Sequence, residues 1–533
     1  MKQSGVFIPT AETSSNCQAD QLLTQSGYVQ ETSEGLYAYF PLARKVIESI
    51  KKMIRDEMEA AKVLEVDLPS EQFGHSTGKS DEMVLLSLIA KEVISSEQLP
   101  ISVFHMKQQI RKAKPSSHNS GLMYSKEYAL MSGYSFHTDS VEAKQNGATL
   151  YSVFSTIATK IGLPFRVIHS VNENGINEYE FIALSECGEE KFAISTNSSY
   201  TEKVELAGSV SEEIENPAKQ KKAAKINGNG SGIDQLGELL KLDPSQLIRA
   251  YLYKVKEESA IILIRADHQL NEMKLKKSFG TSNIRRLEFN EVKEILGVDE
   301  KNLGPVQLPF GFPVYADYGI SSVEYGLCGA NEKDTFLENV NPDRDFTIDR
   351  YVDIRYVQEG ESSPDGNGTL TFASGVTFAR IIEPEPVFTK INVANKDTLE
   401  ILTGYYYMDM NRLFAATAEH FSDSLGLKWP IQLAPYDIHL LIEDSHDEMQ
   451  QQLADELHSV MNGYRYRVLF DDRNVSAEEK IQTSNQLGIP VRVVVGKAAT
   501  EGSVEVTFRA VGEPVLWRKE EVTGRLQEFF RTE

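Results

Sequence analysis

The sequence predicts a multidomain protein of mixed α+β and α/β class, and three observations carry that expectation. A chain of 533 residues exceeds the ~250 to 300 residues at which one hydrophobic core stops growing, so about three or four domains are expected. Amphipathic helical stretches alternate with short β-rich runs along most of the length. The segment ENPAKQKKAAKINGNGSGI at 215–233 is rich in lysine, asparagine and glycine and reads as a flexible linker.

Composition narrows the class. With 41% hydrophobic and 25% charged residues the chain is ordinary globular material. A net charge of −23 disfavours a protein that coats polyanions with its whole surface, while leaving room for a local basic groove. The start MKQSGVFIPTAETSS has no apolar stretch behind its lysine, and no later run approaches the ~18 apolar residues of a membrane span, so a cytoplasmic protein without a membrane partner is expected. Cys17, Cys187 and Cys328 lie far apart and form no CxxC pair. They are read as buried or idle thiols, with neither a disulfide framework nor a zinc site signalled.

Residues 42–63 place Val46, Ile47, Ile50, Ile54, Met58 and Ala61 on one face of a long amphipathic helix. The short strand VLEVDLP follows and ends at Pro69. A second helix is expected over 81–95, then the strand LPISVFHM with Pro100 at its start. From 141 to 162, Leu150, Val153, Ile157 and Ile161 recur at helical spacing, and Gly162 with Pro164 supplies the stop before the strand FRVIHSV. Within the linker, Lys219, Lys221, Lys222 and Lys225 either touch phosphate or form a solvated basic stretch. Beyond it, residues 234–346 mix helices and strands as a separate α/β unit. From about 433 the alternation strand YDIHLLI, helix DEMQQQLADELHSVMN, strand YRVLFDD, helix SAEEKIQTSNQLG, strand VRVVVG argues a small parallel or mixed sheet covered by helices.

Seven stretches occur in an order that resembles one family: MKQSGVFIPT, GLYAYFPLARKV, GLMYSKEYALMSGYSFHTD, LGPV, SPDGNGTL, WPIQLAPYDI and VLFDDR. They are similar to bacterial-type prolyl-tRNA synthetases, class II aminoacyl-tRNA synthetases. The resemblance implies an antiparallel-sheet catalytic core in two parts, 1–214 and 367–428, with an editing-like α/β domain inserted at 234–366 after the 215–233 linker. It also implies an anticodon-binding-like α/β domain at 429–533. The family couples proline to ATP as an adenylate with Mg2+, transfers it to tRNA, and works as a homodimer whose interface includes the long helix and a motif proline, here Pro69.

The same resemblance nominates site residues, and several depart from its pattern. A cation is needed against the α-phosphate as charge builds there. Arg111 in QIRKAKP stands where the family has the arginine of FRxE, although the acid is absent. LMYSKEY replaces an arginine-rich LMRGREF, retaining Glu127 and, in Tyr128, a flat ring where adenine stacks. Met131 and Ser132 replace a basic and acidic pair, and His137 is read as a structural histidine. The glycine-rich third motif becomes GYYYMDMNR. Arg412 stays for the terminal phosphate, but Tyr407, Met408 and Asp409 obstruct the space that glycines leave open. Facing phosphates, Asp409 would repel them by roughly 4 kcal/mol, unless it serves as a magnesium ligand.

In the amino-acid pocket Ser80 and Glu82 match a TxE element that holds the substrate ammonium, with a helix N-cap as the plain alternative for Ser80. Arg380 in ARIIEPEP replaces the histidine of GHIFQLG. In the insert Arg249 stands for the editing lysine, Gly304 and Pro305 persist, and GANEKDTF lacks the editing histidine. Asp471, Asp472, Arg473 and Lys480 match the anticodon-facing stretch. Three readings remain open: a divergent paralogue with lost or redirected ligation that binds tRNA, nucleotide or a partner; an active proline–tRNA ligase using Arg111, Glu82 and Arg412; and a ligase for another small carboxylate, suited by Arg380.

Overall fold

A computed structural model describes the chain apart from residues 10, 12, 14, 69–80, 112–120, 172–174, 211–220, 309–310, 386–388, 394–397 and 533. Pro69, Ser80 and Lys219 lie outside the described residues. The chain divides into two compact units, Met1–Glu190 with Ser374–Glu533, and Lys191–Ala373.

The first unit is organised by a sheet whose strands run Leu64–Glu65, Ile101–Ile110, Glu127–His137, Thr398–Asp409, Leu370–Ile382, Asn177–Leu184 and Phe165–Val171. The first pair is parallel and the remaining pairs are antiparallel. Helices cover one face because their apolar stripes match it. Val46, Ile47, Ile50, Ile54 and Met58 of helix Pro41–Ala60 are buried, as the spacing predicts, while Ala61 falls just past its end. Helix Ser140–Ile161 begins at Asp139, whose carboxylate caps Val141 N, and ends at Gly162 in the left-handed conformation (φ 78°). It buries Leu150, Val153, Ile157 and Ile161, the four positions expected.

The same unit carries a second sheet of strands Val468–Asp471, Ile438–Ile442, Val491–Val495, Ser503–Phe508 and Pro514–Arg518, in that spatial order. The first three run parallel and the last two antiparallel, so the sheet is mixed. Its free edge is met by the chain's opening residues: Lys2 pairs with Phe470, and Gln3 Oε1 hydrogen-bonds the buried His439 Nε2 at 2.9 Å.

The second unit holds a mixed sheet of strands Ile284–Arg286, Ile248–Val255, Glu258–Arg265, Val314–Asp317 and Arg350–Val352. A three-stranded sheet orders Ala224–Asn227, Thr335–Val340 and Gly326–Gly329. Residues 224–227 were expected in the linker. They are a strand because Ile226, set among lysines and asparagine, still has a complete antiparallel partner in 335–338.

The expectation for the cysteines is corrected in part. Cys17 and Cys187 form a disulfide across a sequence separation of 170, and Cys328 is a free buried thiol. Distance along the chain concealed the pair, since nothing in spacing alone brings the two together. Among the described residues no helix is long and apolar enough to cross a membrane.

Candidate functional site

Alternation along strand Thr398–Asp409 decides which of its side chains face the uncovered side of the sheet. Tyr406 and Met408 point into the helix-covered core and are fully buried. Tyr405, Tyr407 and Asp409 occupy the other face. The expected obstruction by Met408 is thereby corrected: a residue one step from Tyr407 must point the opposite way.

Asp409 has a structural role as well. It ends the strand and is the N-cap of helix Met410–His420, its Oδ1 accepting from Asn411 N at 3.1 Å and Arg412 N at 3.0 Å. Its Oδ2 accepts from Nη2 of Arg111 and lies 3.6 Å from Nε of Arg412. With 2% of its side chain exposed, it is committed to helix and arginines.

The two arginines expected at the nucleotide are thus brought together from distant positions. Arg111 Nε donates to the carbonyl of Ser125 at 3.0 Å, and its guanidinium lies 4.0 Å from the ring centroid of Tyr128. Arg412 Nη1 donates to the carbonyl of Thr377 at 2.6 Å and its Nε to that of Met123 at 3.3 Å. Among the described residues Nη1 of Arg111 and Nη2 of Arg412 have no hydrogen-bond partner, which leaves each guanidinium an end for an anion. Tyr128, nominated to stack adenine, has one face taken by Arg111. Glu127 is exposed at the start of its strand.

Towards the other edge, Arg380 stands directly opposite Tyr407 and Glu180 in the sheet register. Its Nη2 donates to Glu180 Oε1, and Nη1 lies 3.8 Å from Glu178 Oε2. Burial opposes the charge of Arg380, yet Glu180, Tyr407 and Glu178 outweigh it and hold the guanidinium above its ordinary value. Glu190 lies close by, 3.2 Å from the Thr377 hydroxyl. Sequence reasoning missed Glu178 and Glu180. The available signal was two acids at i and i+2 in NEYEFIAL, which period-two alternation places on one face.

Beside this row, Ser132 Oγ and Asp81 Oδ2 both approach His105 Nε2, at 2.8 and 3.3 Å. A serine hydrolase relay needs the acid and the serine on opposite ring nitrogens, so this cluster is not one. Glu82 follows Asp81 in the first turn of helix Asp81–Glu92.

His137 is buried, and neither ring nitrogen has a hydrogen-bond partner among the described residues. Burial lowers its pKa, and that of His439, to about 4. Both are neutral when folded but regain their ordinary value, about 6.5, on unfolding. The unfolded chain therefore binds more protons between about pH 6.5 and 4. Stability is expected to be undiminished by them above pH 6.5 and to fall as pH drops toward 4. Melting temperature against pH checks this, with His137→Phe flattening the decline.

In the second unit Arg249 is half-buried in strand Ile248–Val255 and pairs with Asp234 at 2.7 Å. Gly304 approaches Gly329 so closely that a Cβ would stand 1.9 Å from the Gly329 carbonyl oxygen. Asn331 binds this turn through Gly304 N at 3.0 Å and Gly304 O at 3.1 Å, and Pro305 beside it is buried.

In the last sheet, Asp472 accepts from Ser4 N and Oγ at 2.9 and 2.7 Å. Arg473 is held by Asp471 through two bonds of 2.9 and 2.7 Å. Lys480, 1% exposed, donates to the Ile442 carbonyl at 2.9 Å. It is a structural lysine in this arrangement rather than a surface cation.

Comparisons with known proteins agree with this architecture. Residues 228–346 match the family model of the aminoacyl-tRNA editing domain, and residues 433–529 that of the anticodon binding domain. The chain is 35% identical over 568 aligned positions to a proline–tRNA ligase of Lysinibacillus sphaericus, covering 100% of both chains. It is 31% identical to a proline–tRNA ligase of Geobacillus sp., covering 96% of this chain and 97% of that one. Among solved structures, a prolyl-tRNA synthetase from Cryptosporidium parvum, complexed with L-proline and AMP, aligns with 96% of this chain and 78% of its own, with TM-score 0.49 and 11% identity.

Proposed function

The chain belongs to the proline–tRNA ligase family, and from that premise we propose that it is a divergent member which binds tRNA and nucleotide while proline ligation is lost or redirected. The observation that carries this reading is the Arg380–Glu180 pair. It fills, together with Tyr407, the part of the sheet face where the family resemblance puts the amino-acid pocket. A half-buried guanidinium held by two carboxylates is costly to displace for a small apolar ring.

The nucleotide half of the proposal rests on Arg111 and Arg412. Each is fixed by backbone carbonyls and, among the described residues, has one guanidinium end without a hydrogen-bond partner. ATP, when bound, would supply the leaving group for carboxylate activation. Arg111 and Arg412 would hold its phosphates and Tyr128 would border the base. Retention of these residues also favours the second reading, an active proline–tRNA ligase. A ligase for an acidic substrate is disfavoured, because Glu178 and Glu180 already neutralise Arg380. The anticodon-binding domain supports tRNA as partner. A homodimer and cytoplasmic residence belong to the proposal on family grounds.

Proline-dependent exchange between ATP and pyrophosphate tests the reading on the full chain. Exchange is expected roughly a hundredfold or more below that of the Lysinibacillus sphaericus relative, with tRNA binding retained in a filter assay. Exchange at the relative's rate would establish the active-ligase reading instead.

A further inference from the structure

A nucleotide site with two arginines ordinarily offers two positive charges to phosphate, but here a carboxylate is built between them. Asp409 touches Arg111 through Oδ2 and sits 3.6 Å from Nε of Arg412. Its other oxygen is tied to two backbone N–H groups of the helix it caps. The cap prevents this acid from swinging aside, since leaving would expose the first turn's N–H groups. The guanidiniums are in turn held by the carbonyls of Met123, Ser125 and Thr377 and by the rings of Tyr128 and Tyr124. An incoming phosphate therefore meets an arginine pair whose charge is already partly cancelled, from the side where Nη1 of Arg111 and Nη2 of Arg412 have no partner among the described residues.

We propose that Asp409 is a positioning residue that acts as a resident anion at the nucleotide site: it aligns Arg111 and Arg412 and lowers their combined hold on a nucleoside triphosphate. The proposal rests on the nucleotide-binding half of the reading above and is independent of what happens to proline. It places the control of affinity in one carboxylate rather than in steric closure. Met408 faces the core, and Tyr407 faces Arg380 across the adjacent strand.

The test is calorimetric titration of the full chain with ATP and, separately, with adenosine, for the native protein and for Asp409→Asn and Asp409→Ser. Both replacements remain good helix N-caps, and thermal melts verify that they fold. Removing the charge is expected to tighten ATP binding by roughly tenfold or more, with a steeper dependence on salt. Adenosine, which has no phosphate, is expected to bind all three forms alike. Unchanged or weaker ATP binding in both variants would overturn the proposal and make Asp409 a simple brace. Equal tightening of adenosine would also overturn it, since the effect would not be read through phosphate. Absence of ATP binding in all three forms would remove the nucleotide reading and this proposal together.

Discussion

Replacing Cys17 with serine, or reducing the chain, is expected to lower the stability of the unit that contains the disulfide by several kcal/mol. The bond joins residues 170 apart in sequence, and the loop-entropy relation for a closure of that length gives about 5 kcal/mol, within the range of about 2 to 5 kcal/mol typical when a native disulfide is removed. Cys187 lies in a turn tied to its surroundings by several hydrogen bonds. Ser185 Oγ and Glu186 N donate to Glu419, the latter at 2.7 Å, and Glu189 N donates to the Tyr124 phenol at 2.7 Å. Tyr124 in turn borders the Arg412 guanidinium at 5.5 Å. Opening the bond should therefore loosen one wall of the nucleotide site as well. Thermal melts with and without reductant, compared with Cys17→Ser and Cys187→Ser, check the prediction. If reductant leaves the melting temperature of the native chain unchanged, the thiols are unpaired in solution, as their spacing in the sequence suggests.

Arg380→Ala is expected to cost about 1 to 3 kcal/mol, because truncating the half-buried arginine leaves the buried Glu180 charge uncompensated. Glu180 is 7% exposed, and Glu178 approaches the same guanidinium. The double variant Arg380→Ala with Glu180→Gln should recover part of the loss, since the buried charge disappears with its partner. Arg380→Lys should fall between, as an ammonium lacks the planar fork that reaches both acids. Chemical denaturation of the three variants measures the order. A loss below about 1 kcal/mol for Arg380→Ala would put the pair in the class of solvent-screened surface bridges, and the pocket would then be open enough to revisit the active-ligase reading.

Helices and strands with a strong period were legible residue by residue. The stripe from Val46 to Met58 and the stop at Gly162 each depend on neighbours within about four positions, so local sequence contains the whole signal. For the candidate site the resemblance supplied names but no geometry. Arg111, Tyr128, Arg380 and Arg412 were nominated from the motifs that carry the resemblance, and the sheet brings them onto one face. What each one touches was not legible. Asp409 reads as an intruder among phosphates when only its neighbours in GYYYMDMNR are considered. In the folded chain it is a helix cap that binds an arginine 298 residues away. Lys480, nominated with the anticodon-facing stretch, is buried and donates to the Ile442 carbonyl, a partner 38 residues away that its own neighbours do not reveal.

By itself the sequence determined the family, the order of the editing and anticodon-binding domains, and the helix that backs the main sheet. These follow from local periodicity and from motifs that survive as short ordered strings. Tertiary structure alone decided that Cys17 meets Cys187, that Glu180 neutralises Arg380, and that Asp409 stands between two arginines. Such pairings depend on strand register and on where a helix begins, and a shift of one residue along a strand would turn every side chain to the opposite face.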